Sequence, residues 1–323
     1  MRPTRDQFSF LPHFDGKRFF NPGGKQARGL LDVLRWKLTS RAAKSPAFID
    51  DVQPSIPVRS LPEQKIRVTL VNHSTALLQA HGLNILTDPV WSERASPFPF
   101  MGPRRHRAPG VRFEDLPPID LVLLSHNHYD HLDLSTLRQL KRNHQSEYVV
   151  PLGLAKLLSK HKLPAAHEID WGDSLTLRGI TIHAVPALHF SARGLGDRNR
   201  TLWCGYLLET AGGLIYYAGD TAHGEHFAAI HKRYEPPRVA LLPVGAYQPR
   251  WFMSAVHMDP EEAVSAHQVL GAQVSIAIHH GTFQLTDEAL DTPRRELESC
   301  IRKAGVDPKC FQILQNGQFA DFQ

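Results

Sequence analysis

Leu121-Val122-Leu123-Leu124-Ser125-His126-Asn127-His128-Tyr129-Asp130-His131 begins as an uninterrupted apolar run and ends as a cluster of imidazoles and a carboxylate. The apolar half reads as a strand buried on both faces. The polar half carries four potential ligands, His126, His128, Asp130 and His131, within six residues. No regular element puts all four on one face. A sharp turn directly after the strand can bring them to a point. Neutral imidazole and carboxylate suit zinc, with manganese or iron as alternatives. At this chain's frequencies of 19 His and 19 Asp, the HxHxDH pattern arises by chance in roughly 0.4% of such chains, so the motif is specific. The bland alternative is a polar surface turn with incidental histidines.

A metal site built this way needs further ligands at the ends of other strands, because strand ends place loops on one rim. Three segments supply them. Thr181–Val185 leads through Pro186 to His189, Leu214–Ala218 ends in Gly219-Asp220-Thr221, and Ser275–Ile278 ends in His279-His280-Gly281-Thr282. Each is weak alone. Together the seven groups His126, His128, Asp130, His131, His189, Asp220 and His279 suffice for two divalent ions sharing one carboxylate.

The rest of the chain frames that site. Its 323 residues suit one large domain with an extension, or two domains, and we divide it at 64/65. At 42% apolar and 21% charged it is neither disordered, collagen-like nor a coiled coil. No apolar run approaches the ~20 residues that span a bilayer, and no signal-like stretch opens the chain. Three scattered cysteines, Cys204, Cys300 and Cys310, suggest neither a disulfide framework nor a thiolate site, so a cytoplasmic setting is expected.

The net charge of +5 is uneven. Residues 1–45 hold ten basic groups against three acids, leaving −2 for residues 46–323. A near-neutral body argues against a nucleic-acid partner.

Residues 1–27, with Phe8, Phe10, Phe14, Phe19 and Phe20, read as an irregular arm. Residues 28–44 read as a basic helix with Leu30, Leu31, Leu34 and Leu38 on one stripe, followed by a linker marked by Pro46, Pro54 and Pro57. Strands are predicted at Ile66–Val71, Asn84–Thr87, Asp120–Ser125, Thr176–Val185, Leu214–Ala218, Val239–Pro243 and Val274–Ile278. Helices are predicted at Ser135–Asn143, Leu152–Lys160, Gly224–Arg233, Pro260–Leu270 and Asp287–Lys303. The class is α/β.

HxHxDH, a distant His, a strand ending Gly-Asp-Thr and a strand ending in His together resemble the metallo-β-lactamase superfamily. The match is closer to its N-acylphosphatidylethanolamine phospholipase D branch. It is carried by Leu86-Thr-Asp-Pro-Val90, Ser92–Pro97, Met101-Gly-Pro-Arg104, Leu116–Asp120, Ala218–Thr221, Pro243–Tyr247, Pro249–Met253, His257–Ala263 and Ala277–Phe283, and spans about residues 66–285. The resemblance implies an αββα sandwich, here with a basic N-terminal extension. It implies one metal on His126, His128 and His189, a second on Asp130, His131 and His279, and Asp220 bridging. It also puts Tyr129 and His257 against the phospholipid. The chain departs from the family in two places. Asn72-His73-Ser74-Thr75 replaces Gly-His-Ala-Thr, and His280 replaces the Trp that follows the last metal histidine in the mammalian enzyme.

The implied chemistry is attack of metal-activated water on a phosphodiester, releasing phosphatidic acid and an N-acylethanolamine. Asp130 would orient the water. His257 would bind phosphate or assist the leaving alcohol. Tyr247, Arg250 and Trp251 would line the approach, although Arg250 could equally serve a structural ion pair. Helix 28–44 and the loop 97–107, with its Arg104-Arg105-His106-Arg107 cluster, are candidate membrane contacts for a peripheral protein. The leucine stripe could instead dock on the core or on a second subunit of a homodimer. Two other readings stand beside this one: a hydrolase of the same fold acting on a lactone, thioester or other phosphodiester, and a non-catalytic metal-binding scaffold.

Overall fold

The computed structural model describes residues 4–5, 12–23, 26–194 and 196–322. The first half of the chain contains β1 (Thr4–Arg5), α1 (Leu30–Thr39), β2 (Ile66–Asn72), β3 (Thr75–Ala80), β4 (Leu83–Thr87) and β5 (Leu121–Leu123). It continues with α2 (Leu134–Asn143), β6 (Glu147–Pro151), α3 (Leu154–Lys160) and β7 (Ala166–Ile169). The second half contains β8 (Asp173–Leu177), β9 (Ile180–Val185), β10 (Gly205–Thr210), β11 (Gly213–Tyr217), α4 (His226–Arg233) and β12 (Val239–Pro243). It closes with α5 (Arg250–Met253), α6 (Pro260–Leu270), β13 (Val274–Ile278), α7 (Thr292–Lys303), β14 (Phe311–Gln312) and β15 (Phe319–Phe322).

The strands form two sheets, in the orders β15-β2-β3-β4-β5-β6-β7 and β1-β8-β9-β10-β11-β12-β13-β14. The apolar runs explain the layering. Along β5 and just beyond it, Leu121 and Leu123 face the core between the sheets, while Val122 and Leu124 face the outer helices. Along β12, Val239 and Leu241 point inward and Ala240 and Leu242 outward. A strand covered on both faces has no room for polar alternation. Leu137 and Leu140 of α2 with Leu154 and Leu158 of α3 cover one sheet. Phe227 and Ile230 of α4, Val264 and Leu270 of α6, and Leu297 and Ile301 of α7 cover the other. The result is the αββα sandwich.

Strand direction positions the site. β4 to β7 run parallel, as do β11 to β14. β2 and β9 are each two antiparallel steps away, from β4 and β11, so they share those directions. The residues just beyond β2, β4, β5, β9, β11 and β13 therefore emerge on one rim, where parallel sheets hold ligands.

Several sequence expectations are corrected. The strand Thr176–Val185 is a hairpin, β8–β9, turning at Arg178 and Gly179 with φ of +48° and +87°. Asp120–Ser125 is strand only over Leu121–Leu123. The last helix starts at Thr292, with Pro293 in its first turn, because proline is tolerated only there. The capped start at Asp259 holds, with the Asp259 side chain accepting from the Glu262 amide. α1 is shorter than 28–44, and Leu31, Leu34 and Leu38 are 81%, 52% and 86% exposed. The docked residue is Trp36, whose Nε1 donates to Asp287 and whose ring stacks on Phe252. Phe8 and Phe10 lie outside the described residues. Residues 12–23 are seated on the body, with His13 bonded to Asp170 and Trp203 Nε1 donating to Asn21. Among the described residues, no helix is long and apolar enough to cross a membrane.

Candidate metal centre

After β5 the chain leaves the sheet and turns at once. The His131 and Leu132 amides donate to the His128 carbonyl, and Asp133 then caps α2. Arg193 clamps this turn from outside, donating to the carbonyls of Asn127 and Leu132. His189 follows β9 and donates from Nδ1 to the Val256 carbonyl at 2.9 Å, which directs Nε2 inward. Asp220 follows β11 through Gly219, whose φ is +60° and whose added Cβ would lie 2.6 Å from Ser125 Cβ. His279 follows β13 at φ +60°. A Cβ on Gly245 would stand 2.1 Å from the His279 carbonyl oxygen, so only glycine fits beside it.

These turns bring the donors together in two groups. His128 Nδ1 lies 2.8 Å from His126 Nε2 and 3.1 Å from His189 Nε2. Asp130 Oδ2 lies 3.3 Å from both His131 Nε2 and His279 Nε2. Asp220 Oδ2 sits between the groups, 3.1 Å from His131 Nε2 and from His279 Nε2, 3.8 Å from His189 Nε2 and 4.0 Å from His126 Nε2. All seven expected ligands are thus in one place.

The electrostatics fit a cation. Burial, reinforced by neighbouring imidazoles, holds His126 well below its ordinary pKa and brings His128 to about 3. Burial brings His189 to about 4. These three are neutral rings, the form in which imidazole ligates a cation. Burial favours the neutral acid at Asp130 and Asp220, yet His131 and then His279 outweigh it and hold both carboxyls well below the usual range. Conversely, burial opposes charging His131 and His279, but Asp220 outweighs it, lifting His131 well above 6.5 and His279 to about 9. Two buried protons therefore balance two carboxylates, and a divalent ion displaces such protons. His131 Nε2 and His279 Nε2 also lack a well-formed hydrogen bond although fully buried, as ligand atoms aimed at a common point do. The residues present fit a metal.

Two participants were missed by sequence reasoning. Asp88, just past β4, is fully buried and accepts from the Ser125 amide at 2.7 Å, Ser125 Oγ at 2.5 Å, His131 Nδ1 at 2.6 Å and Tyr217 Oη at 2.5 Å. It fixes His131 with Nε2 towards the carboxylates. His73, just past β2, places Nε2 3.1 Å from Asp130 Oδ2. The strand-end rule that found the other ligands would have found both.

The expected substrate residues divide. His257 reaches the cluster, with Nδ1 4.0 Å from Asp220 Oδ2, buried and without a hydrogen-bond partner. Tyr129 is half-buried, its hydroxyl donating to the Arg193 carbonyl and its ring under the Arg193 guanidinium, and it packs against the cluster of Val90, Ala95 and Phe283. Tyr247 and Arg250 are corrected. The buried Tyr247 hydroxyl donates to Glu296, and Arg250 pairs with Asp259 and Glu262 while donating to the His257 carbonyl. Arg250 thus supports His257 instead of facing a ligand. His280 is no competitor for metal. Its ring turns to a cavity of about 30 Å³ lined by Arg107, Asp291 and Arg294, and burial lowers it to about 4. The basic loop cluster is also largely internal. Arg105 is buried, donating to the carbonyls of Ser92 and Val90, and Arg107 pairs with Asp51 and Asp291.

Comparison with known proteins agrees with this architecture. A family model described as a beta-lactamase superfamily domain matches residues 83–280. An N-acyl-phosphatidylethanolamine-hydrolyzing phospholipase D 1 of Caenorhabditis elegans is 35% identical over 92% of this chain and 90% of its own length. An uncharacterized protein of Mycobacterium tuberculosis is 37% identical over 83% of this chain and 72% of its own. Among solved structures, the metallo hydrolase Igni18 of Ignicoccus hospitalis superposes with a TM-score of 0.58 at 22% identity, covering 80% of this chain and 99% of that one. The last likeness is one of fold.

Proposed function

The chain belongs to the metallo-β-lactamase superfamily, and from that premise we propose that it is a dinuclear phosphodiesterase of phospholipase D type. That it is a hydrolase follows from the family. The finer reading is that it cleaves N-acylphosphatidylethanolamine-like phospholipids to phosphatidic acid and N-acylethanolamine. The observation carrying the two-ion reading is Asp220 Oδ2, set between the His126–His128–His189 group and the Asp130–His131–His279 group. Near-full-length similarity to the worm phospholipase supports the substrate class.

Zinc is our first choice for both ions, with manganese or iron as alternatives. Divalent cations on these donors supply Lewis-acid chemistry, polarising a phosphoryl oxygen and acidifying water. The chain's residues do the rest. Asp130, ionised and facing the same point as Asp220, can accept a hydrogen bond from the attacking water and orient it. His257, neutral at neutral pH because burial holds its ring well below 6.5, can bind a phosphate oxygen through a ring N–H. With that N–H engaged, the lone pair of its other ring nitrogen can take up the proton lost by the attacking water and pass it to the departing alcohol oxygen as the phosphorus–oxygen bond breaks. Arg250 keeps the His257 backbone in position.

Peripheral membrane contact is part of the proposal. The exposed Leu31, Leu34 and Leu38 of α1 and the exposed Phe98, Phe100 and Met101 of the loop offer apolar surface to lipid. Exposed Arg41 and Lys44 suit anionic headgroups. Deleting residues 1–45 should reduce sedimentation with anionic vesicles, and unchanged sedimentation would remove α1 from the proposal.

The function is tested by metal analysis followed by turnover of N-acylphosphatidylethanolamine, an aryl phosphodiester and a lactone. We expect two ions per chain and turnover of the phospholipid that is abolished in Asp220→Ala. Metal-loaded protein that turns over only the lactone refutes the phosphodiesterase reading.

A further inference from the structure

Asn72-His73-Ser74-Thr75, one of the two places where the chain departs from its family, keeps the histidine of Gly-His-Ala-Thr, and His73 and Ser74 form the turn between β2 and β3. His73 occupies this turn at φ +46°. For a residue with a Cβ, left-handed backbone costs roughly 1–2 kcal/mol, and glycine or asparagine avoids most of it. The contacts of the histidine held there offset that cost.

The ring is buried, with 1% of the residue exposed. It lies against the His279 ring at 4.0 Å between centroids and edge-on to Phe283 at 5.3 Å. Its backbone is fixed on both sides: the His73 carbonyl accepts from the His279 amide at 2.8 Å, and the His73 amide donates to Thr282 Oγ1 at 3.0 Å. One loop thus holds His279 and His73 in register. Nε2 of His73 reaches Asp130 Oδ2 at 3.1 Å.

His73 could be read as a ligand itself, since its donor atom lies within 4.8 Å of those of Asp130, His131 and His279. The spacing argues otherwise. His131 and His279 are each 3.1 Å from Asp220 Oδ2 and 3.3 Å from Asp130 Oδ2, so these four already surround one point. His73 is in contact with Asp130 alone among the carboxylates.

We propose that His73 is a positioning residue that orients the Asp130 carboxylate towards the second metal, its Nε2–H donating to Oδ2. The second site then has an outer partner on each side, His73 on Asp130 and Asp88 on His131. Such partners typically govern metal affinity by 10–100-fold.

The proposal rests on the two-ion reading, and its test separates the two. Zinc content is measured while purified protein is dialysed against rising concentrations of a chelator, for wild type, His73→Ala and His73→Gln. Wild type should hold two ions. His73→Ala should release one ion at roughly 10–100-fold lower chelator and retain the other as wild type does. The glutamine amide can donate in place of Nε2–H, so His73→Gln should recover at least half of that loss on a logarithmic scale. A wild-type protein that binds fewer than two ions overturns the functional reading. Two ions in wild type with an unaltered curve for His73→Ala overturns the positioning role. Failure of the glutamine to recover any of the loss also overturns it, because a role in packing or as a ligand would remain. If His73→Ala does not fold, His73→Gln against His73→Leu decides by the same criterion.

Discussion

Replacing Asp88 by asparagine conserves size and removes one buried charge, so its effect can be worked out atom by atom. Oδ1 of Asp88 accepts from the Ser125 amide, and Oδ2 accepts from Ser125 Oγ, His131 Nδ1 and Tyr217 Oη. An amide has one acceptor atom. With its nitrogen in the place of Oδ1, it meets the Ser125 N–H, which cannot turn away. With its nitrogen in the place of Oδ2, the two hydroxyls can rotate to accept, but His131 must lose its partner or move its proton to Nε2. That atom faces Asp130 and Asp220. A hydrogen bond to a charged group contributes ~1.5–3 kcal/mol. At 1.4 kcal/mol per decade, this is a loss of roughly 10–150-fold in affinity at the ion His131 would bind. The range overlaps the 10–100-fold typical of outer partners of metal-bound histidine. Asp88→Asn should therefore release one ion at correspondingly lower chelator, and its thermal transition should fall by several degrees. Retention of both ions at wild-type chelator concentrations with an unchanged transition would show that Asp88 does not direct His131.

Two further outcomes are expected. His257→Ala should keep both ions while turnover falls by roughly 10²–10⁴, the usual contribution of proton-transfer groups; wild-type turnover would remove His257 from the mechanism. Burial holds His226, six positions after Asp220 and bonded to Thr221, down to about 3 from 6.5. A base depressed on folding contributes stability above pH 6.5 that is lost as pH falls towards the folded value, about 2 kcal/mol by pH 5. Urea unfolding at pH 7 and pH 5 should show His226→Gln losing about 2 kcal/mol less than wild type, and equal losses refute the assignment.

The legibility of this molecule in its sequence follows the range over which each signal acts. HxHxDH could be read because its ligands are neighbours in sequence and need only one sharp turn. His189, Asp220 and His279 could be read because β9, β11 and β13 are apolar runs with polar ends. Their meeting also depends on two sheets docking, which the family resemblance implied and periodicity did not. Hidden were contacts fixed by tertiary packing. Arg250 has acids on the neighbouring helix start, and no spacing rule distinguishes that pairing from a phosphate clamp. Tyr247 reaches Glu296, 49 positions away. β3, with Thr75, Ala76 and Gln79 buried among leucines, lacks the β-branched run that marks a strand. The Thr176–Val185 hairpin was hidden because Arg178 supplies positive φ without being asparagine or aspartate. The exposed leucines of α1 ran against the rule that an apolar stripe faces protein.

The donors around Asp220 come from both sheets, and neither sheet alone supplies either group complete. His131 and His279 are 148 positions apart, in a chain whose Cys204, Cys300 and Cys310 are all free. Ions held there would bridge segments that no disulfide joins, and by binding the folded chain alone they would add about 2.7 kcal/mol of stability at a free-ion concentration 100-fold above Kd. Because the donors meet only when both sheets are docked, metal binding would be coupled to the assembled sandwich. On the two-ion reading the stability of the chain would depend on cation supply as well as on its residues. A metal-starved population, identical in sequence, would then open more often and be cleared by proteases first.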